Sequence, residues 1–116
     1  MPEARGVDRE LKRGTLEMIL LQLLSRRPMY GYEIVAELRA HGGELFSLKE
    51  GTLYPVLYRL EDAGWIEPRW ETLERGVPRK YYRLTPSGAE KLKVLIRDWR
   101  SFVAAVDRLL GREKKR

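Results

Sequence analysis

The stretch "SLKEGTLYPVLYRLEDAGWI", residues 47–66, decides how the chain reads. Its second half is an ordinary amphipathic helix: Leu53, Val56, Leu57, Leu60 and Ala63 recur at helical spacing and share one apolar face. Gly64 stops it, and Trp65 follows where a Schellman ending folds back on Leu60. The first half is odd. Gly51, Thr52, Tyr54, Pro55 and Tyr58 crowd the beginning, and most of them lie off the apolar face. A glycine, a proline and two tyrosines on the wet side of a helix need a reason other than the core.

The composition narrows the reasons. The chain has 116 residues, 43% of them apolar, enough for one domain and an appended helix. There is no cysteine, and His41 is the only histidine. That leaves almost nothing for a structural zinc site, a thiol nucleophile or a histidine acid–base pair. No cofactor loop of the GxGxxG kind occurs, and no carboxylate pair is marked by spacing. Neither an enzyme nor a bound metal or cofactor is expected. Twenty-three basic residues against 17 acidic ones give +6, a bias that suits a polyanionic partner. Apolar runs such as Met18 to Leu21 are too short for a membrane span. With no signal segment, the expected place is the cytoplasm.

Outward from the opening stretch, the pattern fills in. Residues 1–7 read as a frayed arm, with Asp8 capping a first helix from Arg9 to Ser25 on Leu11, Leu16, Ile19, Leu20, Leu23 and Leu24. Gly14 weakens that helix by about 1 kcal/mol. Residues 30–40 give a second helix, with Ile34, Val35 and Leu38 inward. After the third helix, "WIEPRWETL" and "RKYYRL" flank the turn cluster "ERGVP", which reads as a two-stranded hairpin with Pro68 at an edge. Thr85 as N-cap and Pro86 at the first helical position open a last helix that runs to Leu110 and ends at Gly111. The tail "REKKR" reads as disordered.

Three short helices, a hairpin and a long helix make a mainly α fold with a small β-hairpin: a winged helix-turn-helix over residues 8–84, a terminal helix over 85–110 and a basic tail over 111–116. In the last helix Leu92, Leu95, Trp99, Phe102, Val106 and Leu109 fall at alternating three- and four-residue steps, and Ile96, Val103 and Leu110 widen the stripe. Such a helix extends about 35–40 Å, longer than a small core covers. A second copy is the simplest cover, since most oligomers are symmetric homodimers. The alternative is a helix folded back on its own domain.

The architecture answers the question posed by the opening stretch. The second helix of a helix-turn-helix enters the major groove with its N-terminal part. Gly51 and Thr52 allow close approach, Pro55 offers an apolar face, and Tyr54, Tyr58 and Arg59 can reach backbone or base edges. Each tyrosine could instead pack on the hairpin or a neighbouring helix. Arg69, Arg75, Arg79, Lys80 and Arg83 put cations in the wing, where they suit phosphates, or simply a solvated hairpin. The full expected DNA-contacting set is Tyr32, Lys49, Gly51, Thr52, Tyr54, Pro55, Tyr58, Arg59, Arg75, Arg79 and Lys80.

"GTLYPVLYRLEDAGWI" and "GVPRKYYRLTPSG" resemble the signature segments of the PadR family of transcriptional regulators, and "YGYEI" is similar to the start of that family's second helix. The resemblance covers roughly residues 11–90, and the single terminal helix is similar to the short-form subfamily. It implies operator binding by residues 50–59, dimerisation through residues 86–110, repressor action and, at Trp99, a tryptophan placed like one that lines an aromatic-ligand pocket between subunits. Trp99 could equally be plain seam packing. The expected partners are thus an inverted-repeat DNA operator, a second copy and an aromatic effector. The competing reading is a winged-helix interaction module, or a general nucleic-acid binder without operator specificity.

Overall fold

The computed structural model describes residues 5–73 and 75–111, with side chains from residue 15 onward. The expected N-terminal arm at 1–4, the inward role of Leu11 and the basic tail at 112–116 lie outside the described residues. The elements run α1 (Arg5–Arg26), β1 (Met29–Tyr30), α2 (Gly31–Gly42), a 3₁₀ turn (Gly43–Phe46), α3 (Glu50–Asp62), β2 (Ile66–Thr72), β3 (Pro78–Leu84) and α4 (Pro86–Leu110). This is the mainly helical winged fold expected, with two corrections at its start. Helix α1 already runs from Arg5, so residues 5–7 are helical and Asp8 lies inside the helix instead of capping it. The expected two-stranded hairpin is a three-stranded antiparallel sheet of order β1-β3-β2. Tyr30, expected as the first residue of the second helix, belongs to β1 and pairs with Tyr81, while Met29 pairs with Tyr82.

Local chemistry explains the ends of α3 and α4. Gly64 has φ +82°, its N–H donates to Glu61 O at 2.9 Å, and the Trp65 N–H donates to Leu60 O at 3.0 Å. Those two bonds are a Schellman ending. The Thr85 hydroxyl accepts from the Gly88 N–H at 3.0 Å and donates to Gly64 O at 2.7 Å. The Ser87 hydroxyl donates to the same carbonyl at 3.1 Å, and the Thr85 N–H donates to Trp65 O at 3.0 Å. The turn that ends α3 is therefore bonded directly to the turn that begins α4. Gly111, at φ +83°, ends α4.

The core gathers Leu20 and Leu21 of α1, Ile34 of α2, Leu53, Leu57 and Leu60 of α3, and Ile66 and Tyr82 of the sheet, each at most 1% exposed. Leu21 was absent from the expected apolar stripe because α1 is covered on more than one side. Ala63, expected on the apolar face of α3, is exposed at its end.

The stripe of α4 divides. Leu92 is buried in the chain's own core, and Leu95 and Ile96 pack against it. Val103 and Val106 are half-buried. Trp99, Phe102, Leu109 and Leu110 stay exposed, Leu109 at 86%. The early turns of the helix pack on the winged domain, and the exposed part of the expected seam begins at Trp99.

Candidate nucleic-acid interface

Helix α3 buries Leu53, Val56, Leu57 and Leu60 and leaves Gly51, Thr52, Pro55, Tyr58 and Arg59 exposed. Gly51 is the informative residue. Its φ is not positive, and an added Cβ would meet nothing within 4 Å. Neither backbone geometry nor packing inside the chain accounts for glycine here, although it weakens a helix by about 1 kcal/mol relative to alanine. Pro55, inside the helix, has no N–H to offer the Gly51 carbonyl four residues back. Both residues thin the helix surface on the same wet side.

Tyr54 is a different case. It is half-buried, and its phenol end lies so close to Gly31, at the start of α2, that a Cβ there would overlap it. Burial, then the Glu50 carboxylate, push its hydroxyl above the usual phenol range. Of the two readings of Tyr54, the geometry carries packing: the ring sets the distance between the two helices of the motif. Tyr58, 6.0 Å from the Tyr54 ring, remains 50% exposed. Tyr32, at the first turn of α2, is 64% exposed.

The cations fall into two groups. Arg59 makes a forked contact with Glu17 Oε2 of α1, at 3.1 and 3.3 Å. Arg79 lies 4.1 Å from the centre of the Tyr30 ring, and the nearby Tyr81 hydroxyl raises its already high pKa further. Lys80 Nζ sits 3.7 Å from Glu61 Oε1. Burial works to lower the Lys80 pKa, but the Tyr82 oxygen and Glu61 outweigh it and the pKa ends raised. Tyr82 Oη is itself buried without a partner in hydrogen-bond geometry, and its pKa is raised by burial against the pull of Lys80. Arg83 pairs with Glu67 at 2.7 Å and Arg69 with Glu71 at 3.8 Å. Lys49, just before α3, and Arg75, in the hairpin loop, make no ion pair among the described residues. These tertiary pairings were invisible in the sequence, where all the wing cations looked alike.

The order of elements, the thinned wet face of α3 and the sheet beside it form a winged helix-turn-helix. The family model of the PadR-like transcriptional regulators matches residues 20–94, from the middle of α1 into α4. The chain belongs to the PadR-like family. As a member it is a DNA-binding transcriptional regulator and not an enzyme. A crystal structure of a PadR family regulator from Eggerthella lenta is similar over 95% of this chain and 94% of that one, with TM-score 0.82 and 36% identity. An uncharacterized protein of Lysinibacillus sphaericus is 37% identical over 98 residues, which cover 84% of this chain and 90% of that one. The negative transcriptional regulator PadR of Bacillus subtilis is 32% identical over 84 residues, 72% of this chain but 44% of that longer protein. Among the described residues of this PadR-like chain, no cluster of His, Cys, Asp or Glu could hold a metal ion. No described helix is long and apolar enough to cross a membrane.

Proposed function

We propose that the chain is a homodimeric repressor, in which residues 8–84 bind an inverted-repeat operator and residues 85–110 join two copies. Gly51 carries the reading: an exposed helical glycine with open space around it suits a surface that another backbone must approach closely. Thr52, Pro55 and Tyr58 lie on the same face and reach the bases, while Lys49, Tyr32 and Arg75 hold flanking phosphates. The negative regulator of Bacillus subtilis supports repression as the sign of control.

Selection of bound sites from a random duplex pool tests it. Two reading helices in successive major grooves stand about 34–36 Å apart, so the selected site is expected to be an inverted repeat with centres about 10 base pairs apart. Gly51→Ala is expected to raise thermal stability, by up to about 1 kcal/mol, and to weaken operator binding. Salt-dependent binding with no preferred sequence would favour the general binder instead. A Gly51→Ala protein that binds the operator as tightly as wild type would remove the close-approach argument.

Control by a flat aromatic effector belongs to the same proposal. Trp99, 40% exposed, borders a groove of about 580 Å³ between α1 and α4 whose apolar wall is Met18, Ile19, Leu23 and Ile96. A ligand there shifts DNA affinity only by its preference for one dimer geometry over another, typically about 1–3 kcal/mol. Titration with planar aromatic dyes is expected to quench Trp99 fluorescence. Quenching that persists unchanged in Trp99→Ala, or no binding at high micromolar dye, leaves Trp99 as packing.

A further inference from the structure

Trp70 lies in β2 opposite Lys80 of β3 and is 63% exposed. Strand alternation puts Pro68 and Trp70 on one face with Lys80 and Tyr82, their partners across the ladder. That face looks toward α3, because Lys80 Nζ reaches Glu61 at 3.7 Å and lies 5.6 Å from the Tyr58 ring centre. The same ammonium is 5.9 Å from the Trp70 ring centre. Tyr58, Lys80 and Trp70 thus form a continuous lining from the helix surface to the wing. Lys80 stands between the two rings with its charge balanced by Glu61.

The core does not account for an indole at this position, since Trp70 has no place among the buried residues or those packed on them. Most of the wing's cations are engaged within the chain. Arg69, Arg79, Lys80 and Arg83 all have partners within the chain, and Arg75 is the described wing cation left without one. What this face of the wing adds is a large exposed indole beside an ion-paired lysine.

We propose that Trp70 is a DNA contact: its indole lies against the deoxyribose rings of the strand that passes between α3 and the wing. This rests on the docking proposed above, with α3 in the major groove and the wing beside it. A sugar presents C–H edges and no charge, so an indole meets it by dispersion and exclusion of water. The contact displaces no counterions and leaves the salt dependence of binding untouched, unlike a cation on a phosphate.

The test uses the full chain and a duplex chosen from the random pool, with affinity measured over a series of salt concentrations. Trp70→Ala is expected to bind about tenfold more weakly at every salt concentration, in line with the partial burial of one aromatic face, with the slope unchanged. Trp70→Phe is expected to recover most of the loss. Arg75→Ala, run alongside, is expected to lower the salt slope by about 1. In a Trp65→Phe/Trp99→Phe protein, the remaining Trp70 emission is expected to become shielded from acrylamide when the duplex is added. Full affinity in Trp70→Ala, an altered salt slope, or a lowered Tm that accounts for the weaker binding would each overturn the contact. If Arg75→Ala also binds with unchanged affinity and slope, the wing lies away from DNA and the docking itself fails. A change in Arg75→Ala alone rejects Trp70 and keeps the docking.

Discussion

Phe102→Glu together with Leu109→Glu is expected to leave a folded monomer whose operator affinity is lower by about 10²–10⁴, the factor that a second linked binding head supplies. Within one chain these side chains are 62% and 86% exposed. Their replacement therefore removes little intrachain packing, and the winged core is expected to keep its Tm. Helix α4 has 25 residues, about 37 Å, and only its first turns lie on the core. Beyond Ile96 it carries Trp99, Phe102, Leu109 and Leu110, all exposed. Exposed apolar surface is where interaction sites form, and in the proposed dimer a second copy would present the matching stripe by symmetry. Two carboxylates brought together on each copy would oppose that contact. Leu95 is the poorer site for the change, because it packs on the chain's own core. Light scattering is expected to fall from twice the 13.6 kDa chain mass to that mass. A wild type that is monomeric at micromolar concentration, or a double variant that stays dimeric, would defeat the assembly.

Gly88→Ala is expected to destabilise the protein by about 1–3 kcal/mol, as overpacking of a closed site does, and to lower Tm by about 5–15 °C. The residue is buried at the first turn of α4, and an added Cβ would overlap the Trp65 carbonyl oxygen and crowd Leu84. That oxygen cannot step aside freely, because it accepts from the Thr85 N–H at 3.0 Å. Alanine's better helix propensity, worth about 1 kcal/mol, offsets only part of the cost. Strain at this point opens the junction between the end of α3 and the start of α4, so the angle between reading head and terminal helix changes as well. The same substitution at Gly51 is expected to act in the opposite direction, since nothing surrounds a Cβ there. Thermal unfolding of the two variants side by side decides the matter. A Gly88→Ala protein as stable as wild type would show that the two elements separate without cost.

The helices and their ends were legible in the sequence wherever the deciding interaction spans four or five residues. Gly64 and Trp65 end α3 through bonds to Glu61 and Leu60. Thr85 and Pro86 start α4 through a bond to Gly88. The wet face of α3 followed from spacing alone, and so did the wing, its strands being long enough to show a pattern. Strand β1 was not legible, because two residues carry no period and Met29 and Tyr30 become a strand only by pairing with Tyr82 and Tyr81. Tertiary structure also decided what stands beside each residue of a patterned face. Tyr54 packs against Gly31, Arg59 pairs with Glu17 at a separation of 42 residues, Lys80 with Glu61, and Leu92 lies in the core. Periodicity tells which side of a helix a residue occupies. What stands opposite depends on how distant segments are brought together, and that is set by the packing of the whole chain.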